Sequence, residues 1–80
     1  MDLVGKIRHY YPNISVAVVD VLKKINLGDE ILIKGKTTNF KQRVESMQIE
    51  HKQINTAEKG QSIGLKVSER VREGDDVFKL

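Results

Sequence analysis

Cysteine is absent from this chain of 80 residues, and only one proline, Pro12, is present. Without cysteine the fold contains neither a disulfide nor a thiolate nucleophile, which fits a reducing compartment, so we expect a cytoplasmic protein. Long apolar runs are also lacking, because the longest, Ile14 to Leu22, is too short to span a bilayer and contains Asp20. We therefore expect no membrane among its partners.

Side-chain sets that carry catalysis or bind metal are lacking as well. His9 and His51 are the only histidines, whereas a zinc site needs three or four side-chain ligands. No Gly-x-Ser-x-Gly nucleophile elbow occurs, and the carboxylates are scattered along the chain. The sequence predicts a protein that is not an enzyme, with no catalytic residue, no metal and no cofactor.

A fragment of a phosphate-binding loop is present but incomplete. Residues 35–38 read Gly-Lys-Thr-Thr, and a phosphate loop requires a further glycine five residues before the Gly-Lys pair. Glu30 occupies that position, and its charge would repel phosphate. We expect no nucleotide binding and no hydrolysis of GTP or ATP.

Short runs rich in valine and isoleucine, separated by turn signals, occupy most of the chain. Such runs suit pleated, half-buried strands and indicate one all-β domain, a barrel or a sandwich, over residues 1–80. The predicted strands cover residues 3–11, 14–22, 30–35, 40–54, 61–69 and 76–80. The fourth breaks its own alternation, since Val44 falls on one face and Met47 on the other, and a β-bulge near Glu45 and Ser46 would repair the pattern.

The alternation also predicts the core and three turns. Glycine supplies the positive φ of a tight turn, and the polar residue that follows can bond back to the turn backbone, as at Gly28-Asp29, Gly60-Gln61 and Gly74-Asp75. Side chains that share an inward face are expected to be buried. They are Ile7, Val16, Val18, Ile31, Ile33, Met47, Ile49, Ile63, Leu65 and Val67.

The order of these elements resembles the β-barrel second domain of translational GTPases, the elongation factor Tu and G group. The resemblance rests on Gly5-Lys6-Ile7, Gly28-Asp29, the Val44 to Met47 spacing, the run Ala57, Gly60 and Gly64, and the closing Gly74-Asp75. "HYYPNISVAVV" and "VESMQIEH" look like stand-alone elongation-factor-like proteins, and they are similar to the C-terminal barrel of collagenase-like peptidases. The resemblance implies a closed, Greek-key-like antiparallel barrel of six or seven strands, without the GTPase domain.

Two functions follow from this resemblance and from a net charge of +3. The first is a non-catalytic module that contacts RNA phosphates, in tRNA, rRNA or the ribosome. The second is a barrel that docks on another protein, such as a peptidase. Strand neighbours two apart share a face, so the basic residues expected to meet RNA or a partner are paired along the strands. They are Lys6, Arg8, Lys34, Lys36, Lys41 and Arg43.

Overall fold

The computed structural model describes residues 1–80, and its regular structure consists of β-strands alone, as predicted. No helix of sufficient length and apolarity to cross a membrane is present. The ten strands are β1 (Asp2–Tyr11), β2 (Val16–Val21), β3 (Ile25–Asn26), β4 (Glu30–Lys34), β5 (Asn39–Arg43), β6 (Met47–Ile49), β7 (Lys52–Ile54), β8 (Thr56–Ala57), β9 (Ser62–Lys66) and β10 (Asp76–Lys79).

Eight of these strands form one antiparallel sheet in the order β5-β4-β10-β1-β2-β9-β6-β7, and β3 pairs with β8 in a separate ribbon. The predicted closure into a barrel of six or seven strands is wrong, because β5 and β7 are free edges of an open sheet that curls around the core. Pairing is interrupted in β1 between Leu3 and Gly5 and again between Ile7 and His9. Such irregularities increase the local twist and help the sheet to curl.

The β5 edge is tied to the chain after β9 by a single side chain. Gln42 donates from Nε2 to the carbonyl oxygen of Lys66 at 2.9 Å, and its Oε1 accepts from the backbone N–H of Ser68 at 2.8 Å. A ladder of backbone bonds would have closed the barrel, whereas here one amide side chain satisfies the two backbone groups. The curled sheet thus comes close to closure on this side without becoming a barrel.

The long strand predicted over residues 40–54 is wrong. β5 ends at Arg43 and pairs with β4, whereas β6 begins at Met47 and pairs with β9 and β7. Val44 and Met47 are both buried although their parity differs. The break in alternation therefore marks the place where the chain crosses from one side of the sheet to the other. Instead of the predicted β-bulge within one strand, β5 ends and β6 begins in a different part of the sheet.

Most of the predicted core lies inside the curled sheet. Ile7, Ile31, Ile33, Met47, Ile63, Leu65 and Val67 are buried, as expected. Val16 and Val18 are only half-buried and face outward, so their assignment to the core is wrong, whereas Ile49 is half-buried and packs against the core. In β2 the inward residues are Ala17, Val19 and Val21, and Val16 and Val18 share the outer face with Asp20.

The three glycine turns have the predicted conformation. Gly28, Gly60 and Gly74 have φ values of +90°, +91° and +91°, a region that side chains rarely adopt. In each turn the side chain of the residue after the glycine accepts a hydrogen bond from the backbone N–H of the residue three positions before it. The pairs are Asp29 with Asn26 at 2.8 Å, Gln61 with Glu58 at 2.7 Å and Asp75 with Arg72 at 2.9 Å.

Candidate docking groove

Three of the six predicted basic residues are engaged by carboxylates on neighbouring strands. Lys6 lies 2.9 Å from Asp76 Oδ1, Arg8 lies 3.2 Å from Asp20, and Arg43 lies 3.4 Å from Glu30. These pairs are exposed, so each contributes only about 0–1 kcal/mol to stability. The pairing nevertheless neutralises half of the cations that were expected to face phosphate.

The other three basic residues, Lys34, Lys36 and Lys41, form no ion pair. Lys34 stands opposite Asp76 across the strand pair, and Lys6 stands opposite Asp76 on the other side. Lys41 stands opposite Leu32, and Lys36 lies in the turn between β4 and β5. Lys34, Asp76 and Lys6 therefore form a row of alternating charge across three strands, and Lys36 and Lys41 lie outside that row. Contact of these residues with RNA phosphates stays a prediction.

A concave feature of the surface lies on the outer face of β2, β9 and β6. Two depressions, of about 360 and 230 Å³, share Val16, Gln48 and Gly64 and together make one groove. The first half is also lined by Ser46 and Lys66, and the second by Tyr11, Ile14, Val18, Glu50 and His51. We call this feature the outer groove.

Gly64 forms the floor of the outer groove. It stands between Val18 of β2 and Gln48 of β6 in the strand register. A Cβ atom at this position would lie 3.3 Å from Val16 Cγ1 and 3.8 Å from the carbonyl oxygen of Gln48. Because the φ of Gly64 is not positive, the backbone does not require glycine here. The absence of a side chain at Gly64 makes the outer groove deeper at this point.

The rims of the outer groove are two turns with unusual backbone geometry. Ser15, Glu50 and His51 have φ values of 54°, 49° and 66°, and they are the only residues other than glycine with positive φ. Ser15 precedes β2, and Glu50 and His51 connect β6 to β7. Side chains in this region cost of order 1–3 kcal/mol, and such residues cluster at functional sites.

The side chains of the outer groove suit the binding of another molecule. Two apolar side chains on its wall are exposed, Tyr11 at 48% and Ile14 at 58%. No group of three His, Cys, Asp or Glu side chains is placed to hold a metal ion anywhere in the chain. The groove therefore offers apolar contact and a few polar partners to another molecule.

A second apolar feature lies further along the outer face, on β1, β10 and β4. Leu3 stands opposite Phe78, and Phe78 stands opposite Leu32. Leu32 is 8% exposed, yet it lies outside the core cluster, so its neighbours on the outer face cover it. We call Leu3, Leu32 and Phe78 the apolar patch. These three side chains form an apolar row across the outer face of the sheet.

Sequence reasoning missed both features because it placed Val16 and Val18 in the core and left Leu32 unassigned. The position of Asp20 in the alternation of β2 could have shown which face of this strand points outward. A carboxylate belongs on the solvent face, and residues two and four positions before it share that face. The same parity with Glu30 and Lys34 places Leu32 outward.

Comparison with known proteins relates the chain to peptidases, although no protein-family model matches it. It is 42% identical over 78 residues to an uncharacterized protease of Methanocaldococcus jannaschii, covering 96% of this chain and 19% of the protease. It is 36% identical over 79 residues to a collagenase of Porphyromonas gingivalis, covering 96% of this chain and 22% of the collagenase. The chain thus spans about a fifth of the length of the curated relatives it matches.

Solved structures give the same relation. The C-terminal domain of a Geobacillus thermoleovorans protein assigned to the U32 peptidases matches with a TM-score of 0.94 and 23% identity, over 99% of this chain and 100% of that domain. A second structure of that domain matches with a TM-score of 0.92 over 92% of its length. The similarity to collagenase-like peptidases is confirmed, and the resemblance to elongation factors gains no support. The chain therefore has the fold of the Geobacillus thermoleovorans domain and is similar in sequence to about a fifth of the length of its curated relatives.

Proposed function

We propose that the chain is a non-catalytic accessory domain that acts as part of, or together with, a larger peptidase. The observation that carries this proposal is the match to the Methanocaldococcus jannaschii protease, which includes 96% of this chain but only 19% of the protease. The shared segment leaves most of the protease outside it. Within the segment no catalytic constellation can be named, which agrees with a binding role.

The apolar patch is the surface that we assign to the peptidase body. Leu3 and Phe78 are half-buried, so covering this face removes their remaining apolar area from water, whereas Leu32 between them is already buried. Lys41 stands beside the patch, opposite Leu32. An apolar centre with charged neighbours is the usual composition of a protein–protein contact.

The RNA-binding alternative rested on the six basic residues and on the elongation-factor resemblance. Carboxylates pair with Lys6, Arg8 and Arg43, and the comparisons favour the peptidase relation. We therefore place the protein-docking function first.

A graft into the Porphyromonas gingivalis collagenase tests the proposal, since the matched segment there is 36% identical over 79 residues. Three proteins are compared: the intact collagenase, the collagenase without that segment, and the collagenase with this chain in its place. We expect deletion to reduce cleavage of collagen and the graft to restore it. The variant Phe78→Lys in the graft should restore less, and Lys36→Glu, at an exposed turn outside the patch, should restore fully.

Two results would overturn the accessory function. One is a deleted collagenase that cleaves collagen as fast as the intact enzyme. The other is a graft that is folded by circular dichroism and restores nothing.

A further inference from the structure

We propose that the outer groove binds an extended polypeptide segment with an apolar centre, one acidic side chain and one basic side chain. This site is separate from the apolar patch assigned to the peptidase body. It lies on β2, β9 and β6, whereas the patch lies on β1, β10 and β4. It therefore stands whether or not the chain acts with a peptidase.

The shape of the groove favours an extended chain. Its floor runs along neighbouring strands, with Val16 and Val18 on one side of Gly64 and Gln48 on the other. In an extended segment every second side chain points the same way, so one can enter the space above Gly64 while its neighbours point away. Because Gly64 has no Cβ, a small or medium apolar side chain fits there.

Gln48 supplies a polar partner for the main chain of the bound segment. Its side chain lines both halves of the groove and makes no hydrogen bond within the chain. A primary amide both donates and accepts, so it matches a peptide unit. Gln42 shows the same chemistry, since its amide bonds to the backbone of Lys66 and Ser68.

Two charged residues of the outer groove determine which charges the bound segment should carry at its two ends. Lys66 lines only the first half of the groove and Glu50 only the second. Neither forms an ion pair, and the one polar contact of the Lys66 Nζ is a hydrogen bond to the carbonyl oxygen of Ile14 at 3.1 Å. An acidic side chain over Lys66 and a basic one over Glu50 would complement these two charges.

The strained rims agree with a binding role. Glu50 and His51 occupy both central positions of a two-residue turn that Asn-Gly would adopt with less strain. Both residues line the groove. Function therefore accounts for the unfavourable choice of residues at this turn.

The test is a titration of the isotope-labelled chain, followed by NMR, with three acetylated and amidated pentapeptides. They are Glu-Val-Ala-Val-Lys, Lys-Val-Ala-Val-Lys and Glu-Val-Ala-Val-Glu. We expect the mixed-charge peptide to bind most tightly and to shift the amide signals of Val16, Gln48 and Gly64. Lys66→Glu should weaken its binding about two- to fivefold, as exposed ion pairs do, and should strengthen binding of the doubly basic peptide. The matched control Lys36→Glu should change neither.

Gly64→Ala fills the floor and should weaken all three peptides. The φ at this position is ordinary, but the added Cβ would lie 3.3 Å from Val16 Cγ1, so circular dichroism is used to check that the variant is folded. The proposal is overturned if millimolar peptide shifts no groove signal, if Lys66→Glu and Lys36→Glu behave alike, or if folded Gly64→Ala binds as the wild type does. None of these results depends on the collagenase graft, so the failure of one proposal can be told from the failure of the other.

Discussion

The three glycine turns make the same side-chain hydrogen bond, part-buried at Asp75 and Asp29 and exposed at Gln61, which allows its contribution to stability to be predicted. Asp75 is 5% exposed, the side chain of Asp29 is 21% exposed, and the bond of Gln61 lies at the surface. An alanine at any of these positions leaves a backbone N–H without its acceptor. Water replaces the acceptor at the surface but reaches a buried group poorly.

The magnitudes follow from this difference. Asp75→Ala leaves the N–H of Arg72 unsatisfied and should lower the free energy of unfolding by about 1–3 kcal/mol, whereas Gln61→Ala should lower it by about 0.5 kcal/mol. Asp29→Ala should fall between them, although it also removes a 3.2 Å ion pair with Lys79. Asp75→Asn keeps an acceptor oxygen and should be milder than Asp75→Ala.

Urea unfolding followed by circular dichroism measures these differences, and unchanged m-values would show that the unfolded state is the same in all variants. In a domain of this size each 1 kcal/mol corresponds to about 4–8 °C in Tm. Equal losses for Asp75→Ala and Gln61→Ala would refute the reasoning, because burial would then not decide the strength of the bond.

Three further predictions concern the core, a strained turn and the basic residues. Ile33→Ala removes a fully buried side chain and should cost about 2–5 kcal/mol, measured by the same urea titration. Replacing Glu50-His51 by Asn-Gly should raise the free energy of unfolding by about 1 kcal/mol, because both positions have positive φ; a lower Tm would contradict this. If Lys34, Lys36 and Lys41 contact RNA phosphates, affinity for structured RNA should fall with salt with a log–log slope of about −2 to −3, and no binding at low salt would exclude the RNA alternative.

The sequence predicted the strand class, the turns and most of the core because these depend on local patterns. Alternation in Ile31 to Ile33 and in Ile63 to Val67 is regular, and glycine marks each turn that needs positive φ. The two-residue strands β3 and β8 were not predictable, because their pairing depends on contacts between distant parts of the chain.

Where both faces of a strand are apolar, the alternation of residue types does not identify the face that points into the core. In β2 only Asp20 distinguishes the faces, and the choice made from the valines alone was wrong. The break between Val44 and Met47 was recognised, but a bulge and a crossing between sheet edges give the same pattern in sequence. Only the strand order separates them.

The candidate sites were less predictable than the fold. The alternation along each strand correctly placed the basic residues at the surface. It could not predict their ion pairs, because the carboxylates lie on other strands. Asp76 is 70 positions from Lys6 in the chain and 2.9 Å from it in space. The outer groove depends equally on strand order, since Val16, Gln48 and Gly64 meet only through the pairing of β2, β9 and β6.

The central claim, a non-catalytic domain that assists a peptidase, is tested most directly by steady-state kinetics of the Porphyromonas gingivalis collagenase with and without the segment that matches this chain. Two substrates are compared, collagen and a short synthetic peptide that contacts only the catalytic site. The account predicts that deletion raises KM for collagen and leaves kcat for the short peptide unchanged. An equal fall in kcat for both substrates, with the remaining protein folded, would show that the segment takes part in the chemistry and would contradict the account.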